Sequence, residues 1–150
     1  MKLKKVLACL LAGTMVMSMA TVMTAGAASD EDNKLTVWTW DPNFNIYAIN
    51  KAAEIYAKDH EGFTVEVTEV KSNDIETKIT NAVQAGDLST LPDIFLMQDN
   101  SFQKYVTFYP DVFTSLADSG IDFTQFSAAK VAYSTVDGTN YGVPFDNGAV

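Results

Sequence analysis

Between residues 35 and 97 the apolar side chains switch repeatedly between the spacing of a strand and the spacing of a helix, and this alternation constrains the fold more than any other feature. Leu35-Thr36-Val37-Trp38-Thr39-Trp40 is rich in β-branched and aromatic residues and stops at the turn cluster Asp41-Pro42-Asn43, which predicts a strand. From there Ile46, Ile49, Ala53, Tyr56 and Ala57 recur at helical spacing, with Asn45 placed as the cap and Gly62 as the stop. Phe63, Val65 and Val67 then alternate with Thr64, Glu66 and Thr68, the pattern of a strand with one wetter face, nearer the sheet edge. Asn73 and Glu76 are spaced like a capping box, and Ile75, Ile79, Ala82 and Val83 form one apolar stripe that ends at Gly86. Pro92-Asp93 leads into Ile94-Phe95-Leu96-Met97, a short apolar run expected of a strand buried on both faces. Strand, helix, strand, helix, strand with short helical crossovers implies an α/β fold built on a parallel sheet with right-handed connections.

Beyond Ser101 the pattern is less regular. Phe102, Tyr105, Val106 and Tyr109 predict a short helix that Pro110 must end, since proline lacks the amide a helix needs. Phe126, Ala129 and Tyr133 suggest a second helix over 123–133. Asp137-Gly138 marks a tight hairpin turn, from which Tyr141-Gly142-Val143-Pro144-Phe145 is expected to return as a strand and deliver Asp146 and Asn147 into a cleft.

The amino terminus has a different logic. Lys2, Lys4 and Lys5 precede an apolar run from Val6 to about Met19, followed by Ala25-Gly26-Ala27-Ala28, the three-part pattern of an export signal cleaved near Ala27 or Ala28. The alternative is an uncleaved anchor. Val6-Leu7-Ala8-Cys9 resembles a lipid-attachment box, but the cysteine stands at the start of the apolar run when it should follow it. The expected organisation is a signal peptide over 1–28, a polar tether over 29–34, a folded lobe over 35–144 and the start of a crossing segment over 145–150. Past the signal there is no cysteine, so the fold rests on core burial without disulfides. Seven lysines there face nineteen acidic residues, a net of about −12, which argues against a nucleic-acid partner.

In an open parallel sheet, ligands gather beyond the carboxyl ends of the strands. That rule selects Trp40, Asp41, Asn43 and Phe44 after the first strand, and Lys71, Ser72 and Asn73 after the second. It also selects Gln98, Asp99 and Asn100 after the third, and Phe145, Asp146 and Asn147 from the late segment. Flat aromatic faces beside carboxylates and amides suit a sugar ring, whose C–H face packs on an aromatic surface while each hydroxyl wants a planar donor or acceptor. Asp41 and Asp99 have a simpler alternative role as helix caps. No serine, cysteine and histidine set can be assembled for nucleophilic catalysis, no His or Cys cluster offers metal ligands, and His60 falls at a helix end. Asp41 and Asp146 could serve as the carboxylate pair of a glycan hydrolase. The acidic balance also allows a polyamine ligand.

Lys34-Leu35-Thr36-Val37-Trp38, Leu91-Pro92-Asp93-Ile94-Phe95 and Val136-Asp137-Gly138 with Tyr141-Gly142-Val143-Pro144-Phe145 occur in an order and spacing that resembles the N-terminal part of sugar-binding extracellular solute-binding proteins of family 1. The resemblance covers roughly residues 34 to 148 and implies a periplasmic-binding-protein-like lobe, with a mostly parallel sheet flanked by helices and a second lobe missing. It implies a carbohydrate ligand held between two lobes and handed to an ABC-transporter permease, in a monomer without cofactor or catalysis, exported to the cell envelope or beyond. Carried over by position, it implies ligand contacts at Trp40, Asp41, Asn43, Gln98, Asp99, Asn100, Phe145, Asp146 and Asn147. Such proteins are considerably longer, so a fragment is expected, with a half-built binding surface and an unfilled position beside its sheet.

Overall fold

The computed structural model describes residues 33–146, so the expected signal peptide, Cys9, most of the tether and Asn147 lie outside the described residues. Its principal sheet has three strands in the order β2-β1-β3, all parallel. β1 is Lys34–Thr39, one residue into the expected tether, β2 is Thr64–Glu69 and β3 is Ile94–Phe95. Helices α1 (Tyr47–Tyr56) and α2 (Ser72–Ala85) are the crossovers, and α3 (Asp99–Phe108) leaves β3. β1 occupies the centre because it is the strand that buries Val37 and Thr39, whereas β2 exposes alternate residues and forms an edge as its sequence predicts.

The core forms where α2 and α3 meet the sheet. Ile75, Ile79 and Tyr105 are buried, and Trp38, Trp40, Val70, Leu91, Phe95 and Met97 pack around them. The predicted stripe on α2 is therefore the face that folds inward, with Ile75, Ile79 and Ala82 buried. Gly86 closes the helix in the left-handed conformation, φ 67°, where a Cβ would be strained. Burying Tyr105 requires a partner for its hydroxyl, which donates to Glu76 Oε2 at 3.4 Å.

Five expectations need correction. Asn73 and Glu76 form no capping box, because both lie inside α2, whose cap residue is Lys71 with no side-chain cap bond. The start of the first helix is set by Asp41: its Oδ1 accepts from the amides of Asn43 and Phe44 at 3.1 and 3.3 Å, a wide turn over Pro42–Ile46 follows, and Asn45 lies buried inside that turn. β3 is shorter than the Ile94–Met97 run, and Ile94 is 46% exposed, so this strand is not buried on both faces. The 123–133 segment breaks into a 3₁₀ turn at Phe123–Gln125 and a short α4 at Ala128–Tyr133, because Phe126 and Ser127 are not helical (ψ 157° and 127°). The hairpin does form, β4 (Thr135–Val136) against β5 (Thr139–Asn140), with positive φ at both Asp137 and Gly138. Its returning strand nevertheless ends at Asn140, whose side-chain oxygen accepts from the Gly142 amide at 2.9 Å and takes that donor from any ladder. Residues 141–146 run on outside a sheet.

β1 and β3 share the register pairs Val37↔Ile94 and Trp38↔Phe95, and a side-chain clamp extends this short contact. Asp93 Oδ2 accepts from the Thr36 amide at 2.8 Å and from Thr36 Oγ1 at 2.7 Å, while the Asp93 amide donates back to Thr36 Oγ1 at 3.0 Å. These hydrogen bonds, first the one from the Thr36 amide and then the one from its hydroxyl, hold the Asp93 carboxyl below its ordinary value of 3.8. A carboxyl depressed by folding stabilises the fold fully above that ordinary value, and the contribution is lost as pH falls through the depressed one. We predict that Asp93→Ala lowers the unfolding free energy by about 1 kcal/mol at neutral pH, the solvent contact of Asp93 keeping the loss small. In denaturant titrations repeated at decreasing pH, the gap from the native protein should close only below about pH 4; a gap independent of pH would contradict the clamp.

Candidate ligand-binding cavity

Beyond the carboxyl ends of β1 and β3 the surface folds inward into a cavity of about 970 Å³, walled by the β3–α3 loop, α3, α4 and residues 141–146. Trp40, Gln98, Asp99, Asn100, Phe145 and Asp146 all line it. Three loops chosen by the strand-end rule thus share one concavity. Asp41 and Asn43 do not line it, because Asp41 is turned into its own chain as the cap described above, with φ 61°. The loop after β2 stands apart as well, since Lys71, Ser72 and Asn73 open α2 away from the cavity.

Each wall has a local cause. Trp40 follows the last residue of the central strand and packs against the core cluster, which fixes one aromatic surface at the rim. Phe145 reaches back to the β1 loop and meets Phe44 edge to face, with ring centroids 6.4 Å apart. Asp99 sits in the first turn of α3, where a negative charge is favoured by the helix dipole, and it pairs with Lys130 of α4 at 2.5 Å. The Lys130 side chain is 20% exposed against 42% for Asp99, so the ammonium is the more enclosed partner and is already neutralised locally. Gln103 Nε2 donates to the carbonyls of Ala132 and Thr135 at 3.0 and 3.3 Å, fastening α3 to the end of α4.

Sequence reasoning missed Asn45, Lys130, Ser134, Tyr141 and Gly142, all of which line the cavity. Tyr133, which helical spacing singles out in the sequence, lines it as well. Nothing local announces Lys130, whose partner is 31 residues away. Among the described residues no group of three His, Cys, Asp or Glu side chains is gathered to hold a metal ion.

The extended segment can lie this close because residue 142 is glycine. A Cβ there would fall 2.8 and 3.0 Å from ring carbons of Phe102 and 3.3 Å from Ser134 Cβ. Phe102 cannot simply yield, since its ring packs edge to face on Phe113 with centroids 5.5 Å apart. Gly142→Ala should therefore destabilise the protein by about 1–3 kcal/mol through overpacking. Thermal unfolding is the readout, and pairing it with Phe102→Leu should recover part of the loss; equal melting of Gly142→Ala and the native protein would refute the close contact.

Residues 51–150 match the family model for bacterial extracellular solute-binding proteins, and the chain belongs to that family. A lactose-binding protein of Rhizobium radiobacter is 41% identical over 115 residues, covering 77% of this chain and 27% of that protein. Among solved structures, the GacH receptor of Streptomyces glaucescens GLA.O, solved unliganded and with acarbose, superposes with a TM-score of 0.59 at 16% identity over 72% of this chain and 27% of that one. A periplasmic oligogalacturonide binding protein from Yersinia enterocolitica gives 0.56 at 23% identity over 75% and 28% of the two chains. At such identities the structural likeness speaks for the fold. The chain spans little more than a quarter of the length of these relatives.

Proposed function

We propose that this chain supplies one wall of a carbohydrate-binding cleft in an exported receptor that delivers its ligand to an ABC-transporter permease. The observation that carries this is the composition of a single cavity: aromatic surfaces from Trp40 and Phe145 stand with the amides of Gln98 and Asn100 and the carboxylate of Asp146. A pyranose presents an apolar face and a ring of hydroxyls, and that pairing of surfaces answers both. The 41% identity to a lactose-binding protein supports the same class of ligand. Binding is without turnover in this proposal, since Asp41, the carboxylate the sequence pairs with Asp146, is engaged as a cap outside the cavity, while Asp99 is held by Lys130 and Asp93 by Thr36. Asn43, Asp41 and Asn147 are not required by the proposal, which rests on the six expected residues that line the cavity.

Charge narrows the ligand. Asp93, Asp99 and Asp146 line the cavity against Lys130, and that ammonium is held by Asp99, so an anionic ligand meets net repulsion and a neutral sugar does not. A polyamine is the competing cargo on the same charges. Calorimetry on the protein expressed from its own reading frame, titrated with lactose, maltotriose and spermidine, should give heat with a neutral sugar and release no new reducing ends. Heat with spermidine alone would overturn the sugar assignment, and new reducing ends would overturn the receptor assignment.

A further inference from the structure

Asn45 is 6% exposed, lies inside the Pro42–Ile46 turn, and lines the same cavity as Trp40. A side chain so enclosed ordinarily satisfies its amide, because a buried polar group without a partner costs stability. Yet among the described residues no hydrogen bond reaches the Asn45 carboxamide. Only Ser72 Oγ is both unpartnered and sealed from solvent there, so the unpartnered atoms of Asn45 retain the small access they have. Asn45 is also one of the residues that line the cavity.

We infer that Asn45 is a ligand contact, its carboxamide hydrogen-bonding a hydroxyl of the bound molecule beside the Trp40 ring. The inference rests on the carbohydrate proposal and adds a residue that the strand-end rule does not select. A hydroxyl both donates and accepts, and a carboxamide offers an acceptor oxygen and a donor nitrogen in one plane, so the two can be mutually satisfied. A site whose buried polar group waits for a hydroxyl also rejects an analogue that lacks it, since docking would then leave the amide unpaired. Asn45 thereby contributes discrimination among ring stereoisomers as well as attraction.

Two variants of the protein expressed from its own reading frame test this, Asn45→Leu, which keeps the branch at Cγ without the polar atoms, and Asn45→Ala, which adds no bulk if leucine does not fold. A carboxamide kept for a ligand and unsatisfied without one contributes nothing to the empty protein, so the ligand-free melting temperature of the variants should stay level or rise. Their affinity for whichever of lactose and maltotriose the native protein binds should fall at least about tenfold, measured by calorimetry. A lowered ligand-free melting temperature with unchanged affinity would make Asn45 a structural residue and overturn the inference alone. Native protein that binds neither sugar would overturn the carbohydrate proposal and this inference with it.

Discussion

The pairing of β3 with β1 carries the rest of this structure, because it converts loops separated by more than fifty residues into neighbours. Only Val37↔Ile94 and Trp38↔Phe95 stand in register. One further backbone bond, from the Leu96 amide to the Trp38 carbonyl at 3.0 Å, and the reciprocal clamp between Thr36 and Asp93 fix how β3 lies along its neighbour. A one-residue slip would send Phe95 out of the core and Ile94 into it. With the register held, Trp40 and Gln98 leave the sheet at the same end, and α3 starts where its first turn can face α4.

The parts of the fold that depend on local chemistry were legible in the sequence. Alternation at Val65 and Val67, the stripe of Ile75, Ile79 and Ala82, the stop at Gly86 and the turn at Asp137-Gly138 each follow from side-chain period or backbone sterics within a few residues. Half of the cavity followed in turn, since the carboxyl ends of parallel strands share one rim. What escaped depended on competition or on distance. Asp41 and Asn45 are both able caps, and the sequence does not say that Asp41 takes the amides while Asn45 is drawn inside. Tyr141 to Phe145 has strand-like residues, but Asn140 binds the Gly142 amide first. The pairing of Lys130 with Asp99 joins α4 to α3 across a loop whose path no local pattern specifies.

Membership of the bacterial extracellular solute-binding proteins and the geometry of the cavity support each other from independent directions. The family rests on sequence likeness over residues 51–150. The cavity arises from strand order, from the Gly142 approach to Phe102 and from the α3–α4 tie through Gln103, and Trp40 belongs to its wall although it precedes the matched span. The Lys130–Asp99 pair joins the same two helices, so it contributes both to the charge balance of the wall and, with Gln103, to its closure.

The Asp41 turn bears on how a guest would be received. Its left-handed backbone and its two captured amides lock the chain immediately after Trp40, and the indole is packed on the core from behind. The Trp40 ring, the stacking surface of the proposed receptor, is thus set while the polypeptide folds. Under the carbohydrate proposal, a sugar settling there would surrender its own tumbling but demand little ordering of the ring, so epimers would be judged against a stiff template and differ chiefly in how long they stay.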